Sequence, residues 1–307
     1  CYWAEPAIYC GAPQQPTAFP PTSTNGSVVL GKLDGGYTVR WWPGRRGLLD
    51  GVIGFEREGW RVCFSGFEAR VLGSRLDDPR SPIVLLEAKQ QPIEGGLRVL
   101  HRFQSWRGPL ELLGELKVEH GVLRAAFRLE NVPQPAPWNV VYLEDLSAGR
   151  WSHKAQRVYA GHGNVVCNPG DFSLGFDGHR LATSFVGMDF EDGFSVVQAV
   201  DSPPDRFEVR PAQRHYSLHA PHRAVMTFIA ADNAFQAARK WREVNGLKAS
   251  AGVPKLAGRF VFDLWGGRYG ESRQALERAF RYGLTDAAVL WHNWQRWGYD
   301  YRLPDIT

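Results

Sequence analysis

The pattern of apolar and polar positions changes along the chain, and its longest stretch has the two-residue period of β-strands. From residue 28 to residue 231, short apolar or alternating runs recur, such as residues 37–42, 97–106 and 139–146, and turns such as Asp34-Gly35-Gly36 separate several of them. About fifteen such runs exceed the seven to nine strands of an immunoglobulin-like domain. The pattern therefore predicts a mainly β fold, with a large antiparallel two-sheet sandwich over residues 28–231.

The pattern is irregular before this stretch and helical after it. Residues 1–27 are rich in Pro, Gln, Thr and Ser, and we expect an irregular leader there. Asp232 suits a helix N-cap, and Phe235, Ala238 and Trp241 follow at helical spacing. These positions predict a linker helix within residues 232–254.

Residues 255–307 have the pattern of a strand, a helix and a second strand. The apolar runs at 260–265 and 287–291 flank residues 271–282, whose apolar positions share one helical face, and Gly283 suits the residue that ends a helix. A right-handed crossover makes the two strands parallel neighbours. The pattern predicts a βαβ unit.

Aromatic and hydrogen-bonding side chains are concentrated where these two strands end, which is where α/β proteins bind ligands. Aromatic faces stack on sugar rings, while carboxylates and imidazoles bind hydroxyls, and the chain holds twelve tryptophans. The alternative is that these aromatic side chains only fill a core. We predict a carbohydrate-binding site made of Asp263, Trp265, His292, Trp294, Trp297, Tyr299 and Asp300.

Asp263 is the strongest single candidate, because a carboxylate near the end of an apolar strand is costly to bury without a partner. Its alternative role is a structural hydrogen bond to the loop at Gly266-Gly267. His292 either donates to a sugar hydroxyl or orients Asp300. With Asp263 and Asp300, His292 could also ligate a cation, but these three side chains make only a weak metal case, so we assign no metal-binding residues and predict no cofactor.

Charge and cysteine content narrow the function classes. The net charge is +4, but the 36 basic residues are scattered without a block or motif, so we predict no nucleic-acid partner. No apolar run is long enough for a membrane span. The four cysteines lack zinc-site spacing; Cys63 and Cys167 are expected to be buried thiols, and a disulfide between Cys1 and Cys10 stays open.

The order of these elements resembles a group of glycoside hydrolases in which a galactose-mutarotase-like supersandwich and a helical linker precede a (β/α)8 barrel. The resemblance rests on the helix at 232–245, on the strand at 260–265 with its aspartate, and on Trp291-His292-Asn293-Trp294-Gln295-Arg296-Trp297-Gly298-Tyr299-Asp300. The endo-α-N-acetylgalactosaminidases and their α-N-acetylgalactosaminidase relatives are most similar, with α-galactosidase-like families as the nearest competitors.

The resemblance implies hydrolysis of α-linked galactose-type or N-acetylgalactosamine sugars by a retaining mechanism with two carboxylates. In these families both carboxylates come from later barrel strands, so the catalytic residues are unknown here. We expect the chain to be the N-terminal part of a larger enzyme, ending after the second barrel strand and inactive alone.

Two other functions stay open. A mutarotase-like isomerase would use a histidine and a carboxylate of the sandwich, and the candidate bases are the histidines at 153, 162, 179, 215, 219 and 222. A non-catalytic carbohydrate-binding domain would need an aromatic platform built from the tryptophans at 41, 42, 60, 106, 138 and 151. Localisation is open, with a secreted or cell-surface protein favoured.

Overall fold

A computed structural model describes residues 19–133, 140–160, 164–177, 180–222, 224–265 and 268–292. The fold is mainly β with large antiparallel sheets, which confirms the predicted fold class. The chain divides into two compact units, residues 1–246 and residues 247–307. Within the described part of the chain, no helix is long and apolar enough to cross a membrane.

In its described residues, the first unit contains strands β1 to β19 and one α-helix, α1 (Ala234–Val244). The strands are β1 (Val28–Lys32), β2 (Thr38–Gly44), β3 (Gly47–Arg57), β4 (Trp60–Phe64), β5 (Phe67–Val71), β6 (Ser74–Arg75), β7 (Val84–Ile93), β8 (Gly96–Ser105), β9 (Gly108–Glu119), β10 (Val122–Glu130), β11 (Asp145–Ala148), β12 (Arg157–Ala160), β13 (Asn164–Cys167), β14 (Phe172–Gly175), β15 (Phe185–Asp189), β16 (Ser195–Val200), β17 (Arg206–Arg210), β18 (His215–His219) and β19 (Ala224–Ala231).

One layer of this unit is a nine-stranded antiparallel sheet in the order β13-β12-β15-β16-β19-β10-β9-β8-β7. The alternation in β8 explains its register: Leu97 and Val99 are buried, whereas Arg98 between them faces outward and forms an ion pair with Glu115, its cross-strand partner on β9. A slip of one residue would bury the arginine and expose the core, so the alternation specifies this pairing.

Three smaller sheets form the other layer, in the orders β1-β2-β3-β4, β11-β5-β6 and β14-β17-β18. The last two are joined by backbone hydrogen bonds between Leu146 and Ala220, with N···O distances of 2.8 and 2.9 Å. Aromatic rings pack across the layers: Phe64 stacks on Phe228 with 4.9 Å between ring centroids. One apolar core therefore fills the space between the two layers of a sandwich.

Helix α1 packs on the nine-stranded sheet through a second apolar cluster that contains Val197, Ile229 and Ala237. Its N-cap is Asn233, whose side chain accepts a hydrogen bond from the Gln236 backbone N–H at 2.9 Å. The expectation that Asp232 caps this helix is wrong, because the Asp232 carboxylate forms an ion pair with Arg57 instead.

Two local predictions in the sandwich need correction. The run at 139–146 forms a strand only from residue 145, and the described residues 140–144 are irregular. Cys63 is buried, and burial raises the pKa of its thiol to about 12, but Cys167 is exposed. Cys167 lies on β13, an edge strand, where it shares an outer face with the exposed Val165.

The described part of the second unit contains a short helix, α2 (Val253–Leu256), followed by β20 (Phe260–Leu264), α3 (Tyr269–Arg281) and β21 (Ala287–Trp291). The two strands are parallel, as predicted. Helix α3 is capped at its start by the Glu271 carboxylate, which accepts from the Arg268 backbone N–H at 3.0 Å. It ends before Gly283, whose φ of +92° lies in the left-handed region that glycine favours.

Candidate functional site

Three of the seven residues predicted to bind carbohydrate belong to the described part of the chain: Asp263, Trp265 and His292. The other four, Trp294, Trp297, Tyr299 and Asp300, lie outside the described residues. The alternative partner of Asp263, the loop at Gly266-Gly267, lies outside them as well.

Strand register places these three side chains on one face of the second unit. Asp263 on β20 is aligned with Leu290 on β21, and side chains two residues apart in a strand share a face, so Trp265 and His292 follow on the same side. Helix α3 packs against the other face, where the Phe280 and Phe262 rings meet edge-on with 6.4 Å between their centroids. The three side chains therefore meet at the carboxyl ends of two parallel strands, on the face opposite α3.

Asp263 is hydrogen-bonded through both carboxylate oxygens. The Trp265 indole N–H donates to Oδ2 at 3.0 Å, and His292 Nε2 lies 2.6 Å from Oδ1. The hydrogen bond from Trp265, followed by that from His292, holds the pKa of Asp263 below its usual range. The side chain is still about half exposed, so an ionised carboxylate with a fixed direction faces solvent.

Trp265 combines a fixed position with an exposed ring. It stacks on the His292 imidazole, with 3.7 Å between ring centroids and 15° between the ring planes, yet 64% of the residue stays exposed. The indole face turned away from His292 is thus open for a second flat partner. Trp291 differs, because it packs edge-on against Tyr269 at 4.3 Å and serves the packing of its own unit.

A second group of chemically active side chains lines a cavity of about 340 Å³ in the first unit. Glu208 lies on β17, His215 and His219 lie on β18, and Asp145 lies on β11. Each of the three pairs among Glu208, His215 and His219 has ligand atoms within 4.8 Å of one another. Charged arginines, including Arg206 and Arg210, line the same cavity.

The side chains that line this cavity differ in protonation state at neutral pH. Burial, followed by the charge of His219, lowers the pKa of His215 to about 4, so its imidazole is neutral near pH 7. Burial alone would raise the pKa of Glu208, but the hydrogen bond from Arg210 and the charge of His219 outweigh it and lower that pKa. Burial alone would also raise the pKa of Asp145, but the hydrogen bond and charge of His219, together with Arg206, outweigh it and lower that pKa. Both carboxylates are ionised at neutral pH.

Sequence reasoning considered His215 and His219 only as possible bases and passed over Glu208 and Asp145. A signal was present in the hairpin itself. Glu208 pairs with Ser217 in the β17–β18 register, midway between the two histidines, so all three functional side chains share one face. No local pattern indicated Asp145, because it lies 74 residues before His219 in the sequence and meets it only in the folded structure.

Comparisons with known proteins give information on the fold. No family model matches the chain, and no curated protein matches it. Among solved structures, the chain is similar to the α-N-acetylgalactosaminidase NagBb from Bifidobacterium bifidum in three states.

The GalNAc complex of that protein shares 11% sequence identity with a TM-score of 0.58, covering 90% of this chain and 53% of that chain. The ligand-free form shares 12% sequence identity with a TM-score of 0.59, and the match covers 92% of this chain and 54% of that chain. The Gal-NHAc-DNJ complex shares 14% sequence identity with a TM-score of 0.57, and the match covers 90% of this chain and 53% of that chain. The chain thus spans about half the length of these neighbours and shares their fold over that half.

Proposed function

We propose that this chain is part of a glycoside hydrolase that acts on α-linked N-acetylgalactosamine or galactose-type sugars. One observation carries the proposal: Asp263, Trp265 and His292 form a joined group at the carboxyl ends of β20 and β21. That position is where a (β/α)8 barrel holds its substrate. The likeness in fold to an α-N-acetylgalactosaminidase supports the class of sugar.

Each side chain has a proposed role in binding. The ionised Asp263 accepts hydrogen bonds from sugar hydroxyls, in a direction set by Trp265 and His292. The open face of Trp265 stacks on the C–H face of the sugar ring. Trp294, Trp297, Tyr299 and Asp300 complete the site in this proposal.

Asp263 is proposed to bind substrate rather than to act as nucleophile or general acid. Both of its oxygens accept hydrogen bonds from neighbouring side chains, which makes them weaker nucleophiles but leaves each a lone pair for a sugar hydroxyl. A retaining mechanism also requires a second carboxyl about 5 Å from the first. We assign both catalytic carboxyls to further strands of a (β/α)8 barrel, of which β20 and β21 are the first two.

The experiment that tests this function is a hydrolysis assay on the intact gene product that carries this chain. The substrates are p-nitrophenyl glycosides of α-N-acetylgalactosamine, α-galactose, β-N-acetylgalactosamine and α-glucose. We expect release of p-nitrophenol from one or both of the first two and none from the β-linked or gluco-configured substrates. No turnover of either α-galacto-configured substrate would refute the proposal.

The two alternative functions have less support. A binding platform on the sandwich would need several exposed tryptophans. Trp41, Trp42 and Trp151 are buried, and Trp106 alone among the described tryptophans of residues 28–231 is strongly exposed. A mutarotase-like isomerase has His215, His219 and Glu208 near one another. However, the described lining of that cavity contains no tryptophan, tyrosine or phenylalanine on which a sugar could stack.

A further inference from the structure

The polar face of the β17–β18 hairpin gathers two imidazoles and a carboxylate more closely than strand geometry alone would. His215 and His219 are four residues apart on one strand, which corresponds to about 13 Å along it. Their ring centroids are nevertheless only 6.1 Å apart, and the residue between them on this face is the small Ser217. Glu208 enters this gap from the partner strand, opposite Ser217.

His219 has a buried nitrogen without a hydrogen bond. The residue is only 3% exposed, and its Nε2 finds no hydrogen-bond partner among the described residues. Glu208 Oε2 lies 3.3 Å from this nitrogen but out of hydrogen-bond alignment. A buried polar atom in this situation costs free energy unless a ligand satisfies it.

The other nitrogen of His219 is fixed by a carboxylate. Nδ1 lies 3.0 Å from both oxygens of Asp145, so it carries the proton and donates it there. In a neutral imidazole, this arrangement leaves a lone pair on Nε2 that faces Glu208. Histidines that bind metals are oriented by carboxylates in the same way.

The geometry points to a binding site for one divalent transition-metal ion of the zinc class, with Glu208 Oε2, a ring nitrogen of His215 and His219 Nε2 as ligands. Zinc binds imidazole nitrogen and carboxylate oxygen at about 2.1 Å, which places tetrahedral ligands about 3.4 Å apart. The 3.3 Å separation of His219 Nε2 and Glu208 Oε2 matches that spacing, and His215 lies within 4.8 Å of both.

The nearby arginines leave this ligand set available. Arg210 binds Glu208 through Oε1, and Arg206 Nη2 lies 3.9 Å from Oε2, beyond hydrogen-bond distance, so Oε2 is the oxygen proposed to bind the ion. Arg206 is paired with Asp145 at 3.2 Å and with Asp205 at 2.6 Å, which offsets its charge. The three protein ligands leave a fourth position for water from the cavity that they line.

The competing explanation is an ion pair in which a doubly protonated His219 lies between Asp145 and Glu208. The two explanations differ in what they predict for zinc. An imidazolium binds zinc only after it releases a proton, which the ion pair opposes, whereas the neutral imidazole binds zinc directly with an affinity that depends on Glu208 and His215.

The test is a zinc titration of the 307-residue chain, produced without an affinity tag and stripped with a chelator. Isothermal titration calorimetry at neutral pH should find one Zn²⁺ per chain. His215→Asn and Glu208→Gln should each weaken binding at least about tenfold, and Asp145→Asn about 10- to 100-fold. The matched control is His120→Asn, which removes an exposed histidine from a turn whose φ of +52° asparagine tolerates; its affinity should equal that of wild type.

Circular dichroism of each variant shows whether it folds, and Co²⁺ bound to the wild-type chain provides an independent readout. Intense visible absorption bands from tetrahedral cobalt would support the site even if a variant unfolds. The proposal is wrong if the wild-type chain binds no zinc and shows no such bands. It is also wrong if folded His215→Asn and Glu208→Gln variants bind zinc as tightly as wild type.

Discussion

At the scale of single residues, Asp263 is the side chain on which the carbohydrate proposal depends most. Its carboxylate is ionised and oriented by Trp265 and His292. Asp263→Asn keeps the size of the side chain but removes its charge, so it weakens the hydrogen bond to a sugar hydroxyl. We expect kcat/KM of the intact gene product to fall about 10- to 100-fold, measured with the α-linked p-nitrophenyl substrate.

A matched control separates this loss from a loss of folding. Asp286 lies in the same unit and pairs with Arg259 at 3.0 Å on the surface, so Asp286→Asn makes the same chemical change away from the site. Both variants should unfold at the wild-type temperature, and Asp286→Asn should keep wild-type kinetics. Equal kinetics for Asp263→Asn and wild type would return Asp263 to a purely structural role.

His101 gives a pH-dependent prediction of a different kind. It is fully buried on β8, where Nε2 accepts from the Leu48 backbone N–H at 3.2 Å and Nδ1 lies 3.0 Å from the Leu112 carbonyl oxygen. Burial lowers its pKa to about 4 from an ordinary 6.5, so the unfolded chain binds the proton first as pH falls. The stabilisation that comes from burying neutral His101 is therefore complete above pH 6.5. Between pH 6.5 and pH 4 it is lost, which lowers the free energy of unfolding by roughly 3 kcal/mol.

Denaturant unfolding across this pH range tests the role of His101. His101→Gln offers an amide oxygen to Leu48 and an amide N–H to Leu112 but does not titrate. We expect its free energy of unfolding to fall less steeply between pH 6.5 and pH 4 than that of wild type. Parallel curves for the two proteins would show that His101 does not contribute to acid sensitivity.

At the scale of elements, the start of α1 distinguishes two adjacent residues. Asn233 caps the helix through Gln236, while Asp232 pairs with Arg57. Asn233→Ala removes the cap and should lower the free energy of unfolding by about 1 kcal/mol. Asn233→Ser, which still offers an oxygen, should restore most of it in the same denaturation experiment. An alanine variant as stable as wild type would contradict this assignment of the cap.

The face of β20 and β21 opposite α3 predicts self-association of the 307-residue chain. Val261 and Leu290 lie on this face and are 48% and 52% exposed. An exposed apolar face is covered by contact with another copy, so the sedimentation coefficient should rise with protein concentration. Leu290→Lys should reduce this rise, because a lysine is costly to bury in such a contact.

The control for this prediction is Leu284→Lys, which adds the same charge at an exposed position between α3 and β21. It should associate like wild type. A wild-type chain that sediments as a monomer at every concentration would show that this face does not drive association.

At the scale of the whole molecule, local pattern predicted the elements better than it predicted the contacts between distant residues. Alternation such as that of Leu97, Arg98 and Val99 encodes which face of a strand is buried, so the mainly β sandwich and the parallel pair β20–β21 followed from the sequence. The meeting of Asp145 with His219 did not, because it depends on how two sheets join through Leu146 and Ala220.

The same distinction applies to the candidate carbohydrate site. The sequence indicated that Asp263 and His292 end neighbouring parallel strands, whereas the register that aligns Asp263 with Leu290, and so places Asp263 and His292 on one face, came from the structure. The stacking of Trp265 on His292 could not be read from spacing, because it depends on side-chain conformation. The binding roles of these residues, and of Trp294, Trp297, Tyr299 and Asp300, stay predictions.

The most direct test of the central claim is a crystal structure of the intact gene product soaked with N-acetylgalactosamine. The proposal predicts a sugar ring stacked on the face of Trp265 turned away from His292, with a hydroxyl within hydrogen-bond distance of an Asp263 oxygen. A sugar bound elsewhere, with the strand ends of β20 and β21 free of ligand, would contradict it.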